Sequence, residues 1–333
     1  MTQTANRQPL VSIITPSFNQ AGYLEATILS VLDQGYPNIE YLIADGGSHD
    51  GSVQIIEKYA SRLAWWVSEK DRGQGDAINK GFGHSKGEIV AWLNSDDLYL
   101  PDAVEQAVAL FGKYPDAGMV FGNAITIDAA GRPLNPLVFG DWELADLLRF
   151  QIICQPAVFI RRSVLQRAGF LDSSYQYLLD HQLWLRIAAA APIVHANAFW
   201  AAARHHSQAK NVAHAGEFAD EVYRILHWIR DHPALKDNYA ADKLRIKGGG
   251  SRLAARYLLE GGLPAKAFWF YTKALVYWPA ENSRYWYRML FALLSIFGGN
   301  SVRTFYDRFF RKPRIAADSL SYLDGWHGIC LDS

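Results

Sequence analysis

The N-terminal third alternates between short apolar runs and segments whose apolar residues recur at helical spacing. Residues 10–15 (LVSIIT) predict a buried strand, while Leu24, Ile28, Val31 and Leu32 mark one face of a helix over 24–34. Residues 39–44 (IEYLIA) predict a second strand, 53–59 a second helix, 64–67 a short strand, 75–81 a helix and 88–93 (EIVAWL) another buried strand. Strands and helices alternating at this pitch build βαβ units, hence a parallel sheet with helices on both faces.

The pattern changes near residue 118. MVFGNAITID and 157–160 read as strands, 163–168 as a helix, and 178–191 as a Leu- and Ala-rich helix ended by Pro192. Beyond His214 strand signals disappear. Residues 217–231 form an amphipathic pattern, Gly248 to Gly250 read as a flexible break, and 254–274 (AARYLLEGGLPAKAFWFYTKA) as helix, Gly-Gly turn and helix. That pair resembles a single tetratricopeptide-type unit, which cannot bury its own face and so calls for packing on the main domain.

Composition narrows the class. Half of the 333 residues are apolar and a fifth charged, which excludes disorder and fibrous repeats. Lys plus Arg number 33 and so do Asp plus Glu, without the basic surplus expected of a nucleic-acid binder. Cys154 and Cys330 are too far apart to suggest a disulfide framework or a zinc knuckle. The first residues, MTQTANRQPL, lack an apolar core, so no signal peptide and a reducing, cytoplasmic setting are expected.

Open parallel sheets bind ligands at the carboxyl ends of their strands. The first predicted strand is followed there by TPSFNQ, the second by Asp45 in DGGSHDG, and the strand ending at Leu93 by Asn94-Ser95-Asp96-Asp97. Asp45 follows an uncharged strand, so its carboxylate is expected at the sheet edge, where it can accept hydrogen bonds from a base or ribose; two glycines let a ligand approach the backbone. Taken alone, the same residues equally form a tight turn capping the next helix. No GxGxxG and no Walker lysine are present. Asp96 and Asp97 repel unless a cation or solvent relieves them, and a hard divalent ion takes carboxylate and phosphate oxygens together. In isolation, an acidic pair before Pro101 is more simply a helix start.

In their order and spacing, VSIITPSFNQAGYLEATILSVLDQGYPNIEYLIADGGSHDG, DRGQGDAINKGF and GEIVAWLNSDD resemble the family 2 glycosyltransferases of the GT-A fold, over roughly residues 9–210. The resemblance implies a mostly parallel central sheet flanked by helices, a nucleotide-sugar donor such as a UDP-sugar, Mg²⁺ or Mn²⁺, and inversion at the anomeric carbon. It divides the chain into a glycosyltransferase domain over 1–215, with a donor half at 9–117 and an acceptor half at 118–215, and a helical extension over 216–333. Carried over by position, it implies donor-binding roles for Thr15, Pro16, Phe18, Glu25, Asp45, Arg72, Asn79, Asp96 and His206. Phe18 stands where the family often has Tyr, and Asn94 replaces a frequent leading Asp, which leaves the metal ligand open between Asp96 and Asp97. Residues 178–186 (LLDHQLWLR) resemble the family's EDxDLWLR helix with Asp180 as the sole acid left, implying that Asp180 is the general base. RHHSQAK at 204–210 resembles the family's RxH loop, with His206, and His205 as its rival, donating to phosphate or metal.

Residues 285–297 (YWYRMLFALLSIF) are apolar and aromatic, but the uncharged run over 289–302 is 14 residues, short of the roughly 20 needed to span a bilayer. Arg284, Arg288, Arg303, Arg308, Arg311, Lys312 and Arg314 surround it, with Asp307 the only acid. Arginines among aromatic residues fit a helix lying on an anionic membrane, and fit equally a packed helix with a solvated face. The reading is therefore a metal-dependent enzyme acting on a saccharide or lipid-linked acceptor in cell-surface polysaccharide synthesis, peripheral on the inner face of the membrane. A non-catalytic sugar-binding or scaffold protein of the same fold is the competing class, and a nucleotidyltransferase lacks its Gly-rich, Arg-containing loop after the first strand.

Overall fold

Strand β1 (Val11–Ser17) is buried along its whole length and organises the first half of a nine-stranded sheet. Its alternate residues serve opposite faces. Val11 and Ile13 join a core with Leu24, Ile28 and Val31 of helix α1 (Ala21–Leu32). Ile14 points the other way, onto helix α3 (Gln74–His84), where a Cβ on Gly81 would stand 2.3 Å from its side chain. The computed structural model describes residues 8–205 and 215–310.

Strands β2 (Ile39–Asp45), β3 (Trp65–Ser68) and β4 (Ile89–Trp92) complete a parallel array in the order β3-β2-β1-β4. Helix α2 (Ser52–Tyr59) connects β2 to β3. This is the βαβ region that the sequence pattern predicts. Beyond β4 the order continues β8-β6-β9-β5, with β7 (Pro133–Leu137) on β6. There β4 pairs antiparallel with β8 (Val158–Arg161), β8 with β6 (Met119–Ile127), and β9 (Ile193–Arg204) with β5 (Leu98–Tyr99); β6 and β9 run parallel. The sheet is thus parallel in its first four strands and mixed beyond them. Helices α4 (Ala103–Lys113), α6 (Arg162–Ala168) and α7 (Leu179–Ala190) belong to the same unit, and Trp184 of α7 stacks on Trp92 of β4 at 5.1 Å. Hydrophobic periodicity does not mark β9, because it is rich in alanine (IVHANAFWAAAR) and carries little side-chain signal.

The chain forms two compact units. The first contains residues 8–143 and 153–205 and the second 144–152 and 215–310. The short segment with helix α5 (Leu144–Leu148) therefore belongs with the C-terminal helices, a departure from the division at 215. The second unit is built from α8 (Ala215–Asp231), α9 (Lys236–Glu260), α10 (Pro264–Tyr277), α11 (Pro279–Asn282) and α12 (Trp286–Phe310). The helix, Gly-Gly turn and helix expected over 254–274 appear as the end of α9 and α10.

Gly248, Gly249 and Gly250 are not a break. They lie buried inside α9, where the absent side chains let other backbone and side chains approach. A Cβ on Gly249 would sit 1.9 Å from the Arg149 carbonyl oxygen, and one on Gly248 2.8 Å from Trp278. Arg149 also pairs with Asp242 at 2.6 Å, at the residue where α9 kinks. Gly-to-Ala in a helix interior normally gains about 1 kcal/mol, but forcing atoms into a filled site costs about 1–3 kcal/mol, and a backbone carbonyl cannot swing aside. Gly249→Ala is therefore expected to destabilise the protein by about 2 kcal/mol in a denaturant titration. Gly83→Ala, in α3 with nothing within 4 Å of the new Cβ, should leave stability unchanged or raised.

Candidate active site

The carboxyl ends of β1, β2 and β3 are in register, with Ser17 beside Asp45 and Asp45 beside Ser68. Asp45 is buried and held by four donors. Its Oδ2 accepts the Gly47 and Ser48 N–H groups at 3.1 and 2.8 Å and the Ser68 hydroxyl at 2.7 Å, and its Oδ1 accepts the Ser48 hydroxyl at 2.5 Å. Donors clustered around one carboxylate fix its direction. The turn that delivers them needs Gly47 at φ +83°, a left-handed conformation that glycine adopts without strain. A Cβ on Gly46 would meet Asp71 Oδ2 at 2.7 Å and the Phe18 ring at 3.2 Å, so this glycine keeps the space between them open.

The neighbouring loop is stitched to this turn. The Asn19 N–H donates to Ser48 Oγ at 2.8 Å, and Asn19 Oδ1 accepts the His49 N–H at 2.9 Å. Asp50 receives the Ala21 N–H at the start of α1. Burial raises the Asp50 pKa, but the Ser52 hydroxyl and the Ala21 and Ser52 N–H groups outweigh it and leave the group below the usual carboxylate range. Phe18 projects from this loop, 59 % exposed, a flat apolar face at the rim. Thr15 and Pro16 are strand residues instead: the Thr15 hydroxyl is buried against Tyr41 OH at 2.9 Å, and Pro16 pairs with Ala44. Of the three residues expected from the first loop, Phe18 is the one presented outward.

The NSDD turn separates its two acids. Asp97 points inward, 6 % exposed, with Oδ1 accepting the Arg204 N–H at 2.9 Å and Oδ2 the Asn94 amide at 3.1 Å. Burial drives its pKa well above the ordinary value and the Asp96 charge adds to this; the Arg204 N–H, the Asn94 amide and the Arg204 charge oppose them without cancelling them. Each Asp97 oxygen thus accepts one protein donor and keeps a further lone pair, and half-buried Asp96 is the more accessible of the two carboxylates. Asn94 explains its own departure from the family's leading Asp. Its amide donates to Asp97 and to Gln155 Oε1, both at 3.1 Å, and its oxygen accepts Gln74 Nε2 at 2.6 Å. A carboxylate there would add a third negative charge to a buried one.

Asp180 lies in the first turn of α7, half-buried, with the His181 N–H donating to its Oδ1 at 2.7 Å. The Cys154 thiol lies within electrostatic reach of both Asp180 and Asp97 of the NSDD turn. Desolvation, then the nearby Asp97 and Asp180 carboxylates, hold this thiol above its ordinary pKa. The two acids, 83 positions apart in the sequence, therefore approach a common neighbour.

Other motif residues serve the frame. Asn79 clamps the Leu171 backbone in both directions, donating to its carbonyl at 2.9 Å and accepting its N–H at 3.0 Å, so its amide is not offered to a donor. Glu25 accepts from Lys58 Nζ at 2.6 Å and Tyr59 OH at 2.8 Å, tying α1 to α2 in place of the donor contact expected for it. These bonds, led by that from Lys58, hold its carboxyl below the usual value. Arg72 is largely exposed and pairs with Asp76 at 2.7 Å, a surface pair of the kind that contributes about 0–1 kcal/mol. Arg186 donates to the carbonyls of Ala168, Gly169 and Phe170. His205 is exposed, its N–H on the Ile127 carbonyl at 2.8 Å, and His206 lies outside the described residues. No motif covers Gln155 or Ser68, whose partners are fixed only by the fold.

Among the described residues no cluster of three or more His, Cys, Asp or Glu side chains is placed to hold a metal ion. Mg²⁺, however, is commonly held by one or two carboxylates together with substrate phosphates and water. Asp96, on a turn at the ligand-bearing rim, is a donor of the right chemistry for such a shared site.

A parallel half-sheet, an acid-bearing turn after β4 and a second acid on α7 match a GT-A-type fold. The chain belongs to glycosyl transferase family 2, whose model matches residues 12–166. It is 34 % identical over 183 residues to an uncharacterized glycosyltransferase of Mycobacterium tuberculosis (strain ATCC 25618 / H37Rv), a match covering 54 % of this chain and 69 % of that protein. It is also 34 % identical, over 47 % of this chain and 64 % of the other, to Bacillus subtilis (strain 168) TuaG, whose name places it in teichuronic acid biosynthesis. An uncharacterized glycosyltransferase of Rickettsia felis (strain ATCC VR-1525 / URRWXCal2) is 28 % identical over 68 % of this chain, and there the match spans only 40 % of the relative's length. Among solved structures, the fold resembles the Pyrobaculum calidifontis mannosyltransferase PcManGT in complex with GDP-Man and Mn²⁺, with TM-score 0.58 and 19 % identity over 90 % of this chain and 84 % of that one. It also resembles S. aureus TarS 1-349 in complex with UDP-GlcNAc, with TM-score 0.53 and 15 % identity over 83 % and 91 %.

The two adjacent acids should separate experimentally. Asp97→Ala leaves the Arg204 N–H and the Asn94 amide without their acceptor and should cost about 1–3 kcal/mol of stability. Asp96→Ala should stay within about 0.5 kcal/mol of the parent, as surface changes usually do. Chemical denaturation of the two variants side by side reads the difference.

Proposed function

We propose that this chain is an inverting, metal-dependent glycosyltransferase that moves a sugar from a nucleoside-diphosphate donor, a UDP-sugar, to a hydroxyl of a saccharide or lipid-linked acceptor in cell-surface polysaccharide synthesis. The observation that carries this reading is the rim itself: Asp45 held by four donors at the end of β2, Phe18 exposed on the loop after β1, and the acid-bearing NSDD turn after β4. The Asp45 carboxylate accepts the imide N–H of uracil while Phe18 stacks on the base or ribose. Asp96, with Asp97 beside it, would hold Mg²⁺ or Mn²⁺, which would supply positive charge to offset that on the departing diphosphate. The names of TuaG, TarS and PcManGT support the substrate class, since they pair sugar transfer with nucleotide-sugars or a wall polymer.

Asp180 acts as the general base. The acceptor oxygen bonds to the anomeric carbon as the carbon–oxygen bond to the diphosphate breaks, and the acceptor's proton passes to the Asp180 carboxylate. Attack from the face opposite the diphosphate inverts the anomeric configuration. A scaffold protein of the same fold would have no use for this carboxylate.

Described residues of α12 support membrane contact. Trp286, Leu290, Leu294 and Phe297 follow helical spacing and are 42–84 % exposed, and arginines flank them. No helix among the described residues is long and apolar enough to cross a membrane, whereas an apolar stripe beside cations suits the interface. Arg311, Lys312 and Arg314 lie outside the described residues.

Two measurements test the reading. With a nucleotide-sugar that the parent turns over, Asp180→Asn should lower kcat by about 10²–10⁴-fold, the usual worth of a general base, with donor affinity nearly unchanged. Transfer should stop in EDTA and return with Mn²⁺, and the product should carry the inverted configuration; near-normal turnover of the variant, or a retained configuration, removes Asp180 from the role. In flotation with anionic liposomes, Leu290→Glu/Leu294→Glu should release the protein, and binding of the parent should weaken as salt shortens the screening length below about 8 Å. Equal flotation of the variant and the parent would refute membrane contact through α12.

A further inference from the structure

We propose that the helical unit carries a phosphoryl-binding site of its own, in a cavity between α8, α9 and α10. The cavity measures about 160 Å³, room for several water molecules at about 30 Å³ each. Its wall is cationic: Arg230 comes from α8, Lys247 from α9 and Lys273 from α10, with the His227 imidazole beside them. No carboxylate lines it. Three cations on three different helices converge on one small space, so each helix contributes to a single field rather than to its own solvated face.

Asp231 offsets Arg230, taking two hydrogen bonds from it at 2.7 Å, so the unmatched charge comes from the two lysines. Other acids of the unit are engaged elsewhere, Asp242 with Arg149 at 2.6 Å and Glu260 with Arg256 at 3.1 Å. Lys247 and Lys273 have no acid at ion-pairing distance among the described residues. Their ammonium groups rest on aromatic faces instead. Lys247 Nζ is 5.8 Å from the Tyr277 ring centre, and Lys273 Nζ is 5.1, 5.3 and 6.0 Å from those of Phe270, Trp269 and Tyr223. Such contacts tolerate the charge and orient it without cancelling it.

Hydroxyl groups complete the donor set. Ser251, 1 % exposed, hydrogen-bonds to the Tyr223 phenol, and Tyr239 lines the same space. Burial raises the pKa of Tyr223 and of Tyr239, which keeps both phenols protonated as donors. Two unmatched ammonium groups and neutral hydroxyls suit a compact, multiply charged oxyanion, and lysine binds phosphate as a point charge. A phosphoryl group meets this description, whether on a soluble phosphate ester or on a lipid headgroup.

The test is calorimetric titration of the full chain with inorganic phosphate at low salt. The parent should bind saturably, and Lys247→Gln/Lys273→Gln should weaken binding at least about tenfold, the worth of one charge-assisted hydrogen bond. Lys247→Arg/Lys273→Arg should retain most of the affinity, which separates loss of charge from loss of fold; circular dichroism checks the Gln variant. Flotation with phosphatidylcholine vesicles containing phosphatidic acid, compared between parent and Gln variant, assigns the source. Loss of vesicle binding alongside phosphate binding identifies a lipid phosphate, and loss of phosphate binding alone a soluble ester. Absence of saturable binding in the parent, or equal affinity in a folded Gln variant, overturns the proposal.

Discussion

The buried carboxylate of Asp97 is the fixed point of the catalytic half. Its two oxygens accept one N–H from Asn94, at the end of β4, and one from Arg204, at the end of β9. Those strands are separated in the sheet by β8 and β6, so one side chain ties the acid-bearing turn to a strand three places away. Arg204 reinforces the join by donating to the Asp96, Asp128 and Ala129 carbonyls while its guanidinium lies 4.8 Å from the Tyr23 ring centre. A buried carboxylate is costly without donors and anchoring with them. The position of Asp96 depends on its neighbour being so anchored.

Asp45 and Asp97 show two ways of stabilising an acid near a ligand rim. Asp45 is surrounded by short-range donors from its own turn and from β3. Asp97 is buried among fewer donors beside a second acid, which favours the neutral form. Neighbouring acids thus divide the work: one shapes the turn and the other stays accessible to a cation. The same economy governs Asn79 and Arg186, whose polar groups hold the loop over 168–171 in place and set where α7 presents Asp180.

The parallel half of the sheet was legible because its strands are continuous apolar runs and its helices carry clear 3.6-residue spacing. Strand β9 was not, because an alanine-rich segment is defined by its partners β6 and β5 and not by its own side chains. Site legibility followed the same line. Asp45, Phe18, Asp96 and Asp180 stand at positions that a motif can mark, and the fold brings them to strand ends or a helix start. Which of two adjacent aspartates turns inward is decided by Arg204, more than a hundred positions away, and no local pattern records that. Glu25, Thr15 and Asn79 make hydrogen bonds that hold strands, helices and turns together, and their spacing in the motifs does not record those partners.

The glycine triplet of α9 has a consequence for how the chain reaches its native state. Each glycine costs a helix interior about 1 kcal/mol relative to alanine, so this stretch forms a poor isolated helix. What repays that cost is the backbone at Arg149, about a hundred residues earlier, which fits against Gly249. Closing so long a loop before any contact forms is slow. During synthesis, residues 144–152 emerge well before the helices they join, and the C-terminal unit completes its folding only when both pieces meet. A fragment beginning at α8 would lack the strand of backbone that fills the groove.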